Sequence, residues 1–302
     1  GTRELFLYTM ECIFIPATSF VELIKPYTET EGARPGDARG WLRISFAGVV
    51  YMLECRGVTV RFGGLTAVKE MSLSVERGTI HSLIGPNGAG KTTLFNAMTR
   101  LVEAQEGQIF FEGEPILKDR PEAIIRRGMV RTFQNLQLSP LQTVQDNIMA
   151  GLVHRWNGGA WQALAGTHAR FMDEAKDRVR TAAELFHIQN RLGSLVGGLP
   201  YGILKKVELA RALAAAPKLL LLDEPAAGLN NDETAELDET LAALKRRGLT
   251  IVLVEHDMSL VMRISDAITV MNFGERIAGG SPEEVSRNPD VIRVYLGGDY
   301  GA

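Results

Sequence analysis

From about residue 52 onward, short apolar runs alternate with helical patterns to the end of the chain, which predicts an α/β domain. Residues 53–62 and 71–75 alternate apolar and polar positions as half-buried strands do, and 79–84 form a short apolar strand that ends in glycine. A helix is predicted from Lys91 to about Thr99 and a hairpin strand at 108–112, bounded by Gly107 and Gly113. A further helix, at 121–127, carries Pro121 near its start. Phe171, Ala175, Val179, Ala182 and Phe186 recur at helical spacing and mark a long amphipathic helix. The runs 218–222 and 250–254 are almost wholly apolar, as parallel strands covered on both faces are. There is no internal repeat and no low-complexity tract.

Residues 25–40 differ in character, being rich in Gly, Pro, Thr and charge, and read as linker or disorder. The division expected is therefore an extension at 1–51, non-native or disordered, and a domain at 52–302. The apolar stretch at 5–24 is interrupted by Glu11 and Pro16 and diluted by Thr9, Thr18 and Ser19, so it makes a poor spanning helix. It also lacks the basic leader of a signal peptide, with Arg3 beside Glu4. No later apolar run reaches spanning length, so any work at a membrane is expected to go through partners.

Composition narrows the classes. The chain has 302 residues, with 33 Lys and Arg against 36 Asp and Glu and a formal charge of −3. That balance argues against nucleic-acid binding through bulk positive charge. At 45% hydrophobic residues the chain can build a full core, as one large or two modest domains. Two cysteines, Cys12 and Cys55, exclude a disulfide framework and a four-cysteine metal site, and suit a reducing compartment.

The candidate chemistry lies after the strand at 79–84. Gly85, Pro86, Asn87, Gly88, Ala89, Gly90, Lys91 and Thr92 fit G-x-x-x-x-G-K-[ST], between a strand and a helix, where that motif works. The glycines let backbone N–H groups converge on phosphate oxygens, and the helix N-terminus adds its positive end. Lys91 is placed for the β- and γ-phosphates and Thr92 for Mg2+. A second element is the apolar strand that leads to Asp223 and Glu224. Its first polar residue emerges at the carboxyl end, where ligands bind in open α/β sheets. Asp223 is then placed to orient Mg2+ through water, and Glu224 to polarise the water that attacks the γ-phosphate.

Around these elements the chain resembles the nucleotide-binding subunits of ABC transporters. Gln134 in Arg131-Thr-Phe-Gln134 matches their Q-loop, and Leu199-Pro-Tyr-Gly202 followed by the helical run Lys205 to Ala215 matches their signature motif and helix. Ala227-Gly-Leu-Asn230 resembles the D-loop, and His256 after the strand at 250–254 resembles the switch histidine. Phe62 stands where the family stacks an aromatic ring on adenine. Within the family the chain is most similar to the LivG type, the ATPases of branched-chain amino acid uptake. The motif that begins Arg131-Thr-Phe-Gln-Asn, the Leu-Pro-Tyr-Gly signature, Asn272 to Gly280, and the ending Val294-Tyr-Leu-Gly297 carry that likeness, together with an insertion at 154–168 that holds Trp156 and Trp161.

The resemblance implies a P-loop NTPase fold of the ABC type: a mostly parallel core sheet, an antiparallel β-subdomain, and a helical subdomain at about 136–216. It implies catalytic roles for Glu224, His256 and Gln134, and metal contacts from Thr92, Gln134 and Asp223. Nucleotide contacts are implied at Phe62, Val68, Gly85, Pro86, Asn87, Gly88, Ala89, Gly90, Lys91, Thr92 and Thr93, and at Tyr201 and Gly202 toward a second subunit. The implied cofactors are ATP and Mg2+. The implied partners are a second ABC ATPase, in a homodimer or with a LivF-like chain, transmembrane permeases and, indirectly, a periplasmic or extracellular solute-binding protein. The implied place is the cytoplasmic face of the cell membrane, peripherally, with no nucleic acid. A urea or amide importer, a lipopolysaccharide exporter and a soluble non-transport ATPase are the other activities open to such a chain. One departure stands out: Ile203 replaces the Gln that usually follows the signature glycine, and Pro200 has no N–H to offer. A weakened or asymmetric contact with the second subunit is expected from this.

Overall fold

The computed structural model describes residues 51–155 and 167–296. The expected extension lies outside them up to residue 50, as do Trp156 and Trp161 of the insertion. Among the described residues the strands form two sheets. The first is antiparallel and holds β1 (Tyr51–Phe62), β2 (Leu65–Glu76), β4 (Glu106–Phe111) and β5 (Glu114–Pro115), in the order β2-β1-β4-β5. The second holds β3 (Ile80–Ile84), β6 (Met129–Arg131), β7 (Leu219–Asp223), β8 (Thr250–Val254), β9 (Ala267–Asn272) and β10 (Glu275–Gly280). Its order is β10-β9-β3-β8-β7-β6, and every pairing is parallel except β9 with β10.

The apolar runs behave as their pattern predicts. Every residue of β3, β7 and β8 is buried, because both faces of the second sheet are covered. Side chains alternate between two cores as strand geometry requires. Leu219 and Leu221 of β7, with Val252 and Val254 of β8, join the core shared with the antiparallel sheet. Leu220, Leu222, Ile251 and Leu253 join the core under the helices.

Nine α-helices are present among the described residues: α1 (Lys91–Met98), α2 (Pro121–Arg127), α3 (Val144–Met149), α4 (Thr167–Leu185), α5 (Tyr201–Ala214), α6 (Asn231–Arg246), α7 (Met258–Ile264), α8 (Pro282–Ser286) and α9 (Pro289–Leu296). On α4 and just beyond it, Ala175, Val179, Ala182 and Phe186 all turn into the helical core, as their spacing predicts. Reciprocal capping boxes at Thr143 and Asp146, Asn230 and Glu233, and Ser281 and Glu284 fix where α3, α6 and α8 begin. None of the described helices is long and apolar enough to cross a membrane.

Two boundaries differ from expectation. β2 starts at Leu65 rather than at 71, because pairing with β1 holds its polar first half, including a left-handed Glu70 with φ 47°. α5 starts at Tyr201, directly after Pro200, whose extended ψ of 151° stops the helix from reaching further back. For function the important feature is alignment. Leu83 of β3 and Asp223 of β7 both stand level with Val254 of β8, so the carboxyl ends of three parallel strands open at one edge of the sheet.

Candidate nucleotide site

The loop between β3 and α1 is shaped by close approach. Gly85 and Gly90 have φ 153° and 97°, and a side chain on either would run into a carbonyl, that of Met271 or of Ala67. No side chain caps α1, whose first N–H groups remain available to an anion. Lys91 is buried, and its Nζ donates to the carbonyls of Gly85 at 2.7 Å and Pro86 at 3.0 Å. Burial pushes its pKa down, while Glu224 and Asp223 oppose that shift. Burial pushes the phenol of Tyr295, on α9, up to about 12, and the Gly85 backbone opposes that shift.

Asp223 ends β7 with its side chain 2% exposed, and its Oδ2 accepts from Arg131 Nη2 at 2.8 Å. Its other oxygen, Oδ1, is buried and accepts no hydrogen bond. The next residue, Glu224, has φ 50°, a left-handed backbone that costs a non-glycine residue about 1–3 kcal/mol. A bond from its N–H to the Val254 carbonyl at 2.9 Å holds that turn. The carboxylate is gripped twice: Gln134 Nε2 donates to Oε2 at 2.9 Å, and His256 Nε2 meets Oε1 at 2.8 Å. Glu224 is therefore in contact with both of the other residues expected to be catalytic.

The loop from Asn87 onward, with Gln134, Glu224 and His256, lines one cleft of about 550 Å³, whereas Gly85, Pro86 and Asp223 are not among its lining residues. Asn87 to Thr93 form its floor, Gln134, Glu224 and His256 stand at one side, and Phe62, half exposed, is part of its wall. Val68 does not line it: the side chain is fully buried in the core beneath the antiparallel sheet, and Thr66 and Ala67 line the cleft instead. The alternation of β2 turns position 68 inward. Tyr201 and Gly202 stand apart from the cleft at the start of α5, where the Tyr201 ring packs on Gly228. Ile203 is half-buried against the helical core, which accounts for an apolar residue at that position.

Three contributors escaped the sequence reading. Phe273, in the turn between β9 and β10, lines the cleft while 85% exposed. A lone aromatic in an Asn-Phe-Gly turn is a weak sign, since single exposed apolar residues are common. Glu255 is buried and bridges the backbone N–H groups of Ala226 at 2.7 Å and His256 at 3.0 Å. It ties the loop after Glu224 to the histidine, and burial raises its pKa against those bonds. The third is Tyr295 on Gly85, which no local pattern announces.

The profile of the ABC transporter family matches residues 68–227, and that of the branched-chain amino acid ATP-binding cassette transporters matches 275–301. The chain is 44% identical over 250 residues to the high-affinity branched-chain amino acid transport ATP-binding protein LivG of Salmonella typhimurium, spanning 82% of this chain and 98% of that protein. It is 42% identical over 249 residues to BraF of Pseudomonas aeruginosa, a protein described in the same words, with the same coverage. Among solved structures, a nucleotide-free cassette of an ABC transporter superposes with a TM-score of 0.72 at 28% identity, covering 81% of this chain and 98% of its own. A cassette in its ADP conformation matches with the same TM-score at 29% identity, covering 82% and 99%. With the phosphate loop, the Asp-Glu strand end and these likenesses together, the chain belongs to the ATP-binding subunits of ABC transporters, and among them to the ATPases of the LivG and BraF type.

Proposed function

We propose that this subunit hydrolyses magnesium-bound ATP at Glu224 and uses the resulting opening and closing to drive uptake of branched-chain amino acids. The observation that supports this best is the double grip on Glu224 by Gln134 and His256 at the mouth of the phosphate cradle. A carboxylate fixed at both oxygens has a defined place from which to orient and polarise a water. Phosphoryl transfer asks mainly for such positioning and for charge neutralisation.

The residues fit a magnesium ion. Hard oxygen donors suit it, and it commonly takes one or two carboxylates plus the phosphates of the nucleotide. The unpaired, buried Oδ1 of Asp223, the hydroxyl of Thr92 and the Gln134 amide oxygen are such donors. Bound magnesium would supply positive charge to the phosphate oxygens. Lys91 exchanges the Gly85 and Pro86 carbonyls for phosphate, the α1 N–H groups hold the same anion, and Phe62 supports the base.

The signature residues Tyr201 and Gly202, apart from the cleft, serve the nucleotide of a second cassette. The helices between about 136 and 216 carry closure of that pair to transmembrane permeases, and the solute reaches them from an external binding protein. This reading places the chain peripherally on the cytoplasmic face of the membrane. The amino acid substrate follows from likeness to LivG and BraF. Glu224→Gln tests the catalytic core: turnover is abolished while ATP still binds and holds a closed dimer. Unchanged ATPase activity in that variant removes Glu224 from the mechanism. Stimulation of wild-type turnover by a leucine-loaded binding protein in reconstituted vesicles tests the transport assignment.

A further inference from the structure

The side chains of Arg131 and Asp223 are 5% and 2% exposed and form a buried ion pair at 2.8 Å. Such a pair adds little net stability once its desolvation is counted, so its presence beside a reactive centre asks for another reason. Arg131 spends its planar fork on two elements at once. Nη2 donates to Asp223 Oδ2 at the end of β7, and Nη1 donates to Asn96 Oδ1 on α1 at 2.6 Å. The guanidinium carbon also lies 5.4 Å from the ring centre of Phe95 and 5.2 Å from that of Phe133, within cation–π range of both.

Phe133 directly precedes Gln134, and α1 begins with Lys91 and Thr92. One side chain thus touches the helix that carries the phosphate lysine, the strand end that carries Asp223, and the segment that carries Gln134. The contact also decides which carboxylate oxygen is spent. Oδ2 is occupied by Arg131, and Oδ1 is left buried and unpaired.

We propose that Arg131 is a positioning residue that holds the Asp223 carboxylate with Oδ1 free for the metal and links that pose to the Gln134 segment. This rests on the magnesium-ATP reading above. A lysine cannot replace it fully, because a single ammonium on a flexible stem does not present the rigid fork that spans Asn96 and Asp223.

The test is a Mg2+ titration of the binding of a fluorescent, non-hydrolysable ATP analogue, with a parallel titration in EDTA and a thermal melt of each variant. Arg131→Met is expected to raise the Mg2+ concentration for half-maximal binding about ten- to hundredfold, the range typical for loss of a group that orients a metal ligand. Binding in EDTA stays unchanged. Arg131→Lys falls between wild type and Arg131→Met, and Asn96→Ala shifts the Mg2+ requirement in the same direction. A lower melting temperature with the wild-type Mg2+ requirement would make Arg131 a structural brace and overturn the proposal. If Arg131→Met does not fold, Arg131→Lys and Asn96→Ala decide by the same measure. Failure of the wild-type chain to bind the magnesium-bound analogue, or Lys91→Ala binding as well as wild type, sinks the nucleotide reading itself.

Discussion

His256 meets Glu224 at 2.8 Å, Nε2 to Oε1, while Gln134 holds the other oxygen of the same carboxylate at 2.9 Å. Two neighbours that share one function do not contribute independently. Alanine at either position is expected to lower turnover about 10²–10³-fold, the scale of losing one preorganised polar contact in an active site. The double variant should lose much less than the product of the two single losses. Steady-state ATPase measurements on the three variants, with nucleotide binding measured separately, check this. Multiplicative losses would mean that the two residues do not act through Glu224.

The cleft has aromatic rings at Phe62 and Phe273. Stacking on a base is worth about 1–3 kcal/mol per ring by alanine substitution. Phe62→Ala should weaken ATP binding by about that amount and leave inorganic tripolyphosphate binding unchanged. Phe273→Ala should act in the same direction and less strongly, because its ring is more open to water. Competition titrations with ATP and tripolyphosphate separate the base from the phosphates. Equal loss for both ligands would place the rings outside the base site.

Gly90→Ala combines a left-handed φ of 97° with a clash against the Ala67 carbonyl. It is expected to cost about 1–3 kcal/mol of stability. It should also weaken nucleotide binding by displacing the start of α1. Urea denaturation and a nucleotide titration read the two effects. A variant with wild-type values for both would show that the loop can spread at no cost.

Acid sensitivity should come in part from His81 on β3, which is buried beside Thr269, at 2.9 Å, and has its pKa lowered to about 4, first by burial and then by Arg276. The free side chain titrates near 6.5, so between pH 6.5 and 4 the unfolded chain binds a proton that the folded one refuses. Stability is fully present above that window and falls as pH drops through it, by up to roughly 3 kcal/mol from this residue. His81→Gln keeps a polar group for Thr269 and removes the titration. The difference between wild-type and variant unfolding free energies should therefore slope between pH 6.5 and 4 and flatten above. A constant difference across that range would remove His81 from the account.

Much of this was legible in the residue order, and the rest was hidden for physical reasons. The strand at Thr250–Val254 and the helix at Pro121–Arg127 matched their expected limits because a run of β-branched residues and a leading proline speak locally. Asp223 stood out as the first polar residue after four leucines. Val68 was misplaced because a one-position step along a strand exchanges core for cleft. Phe273, Glu255 and Tyr295 each act with residues far away in sequence, as Glu255 does with Ala226, and no short window shows that pairing.

Lys91 leaves one last consequence. With two carbonyls accepting from its ammonium, Lys91 is not a starving cation that must be fed before the chain can settle. The same arrangement sets a threshold for entry. An incoming anion must outbid two good internal acceptors, which a chelated triphosphate does and a lone orthophosphate does far less well.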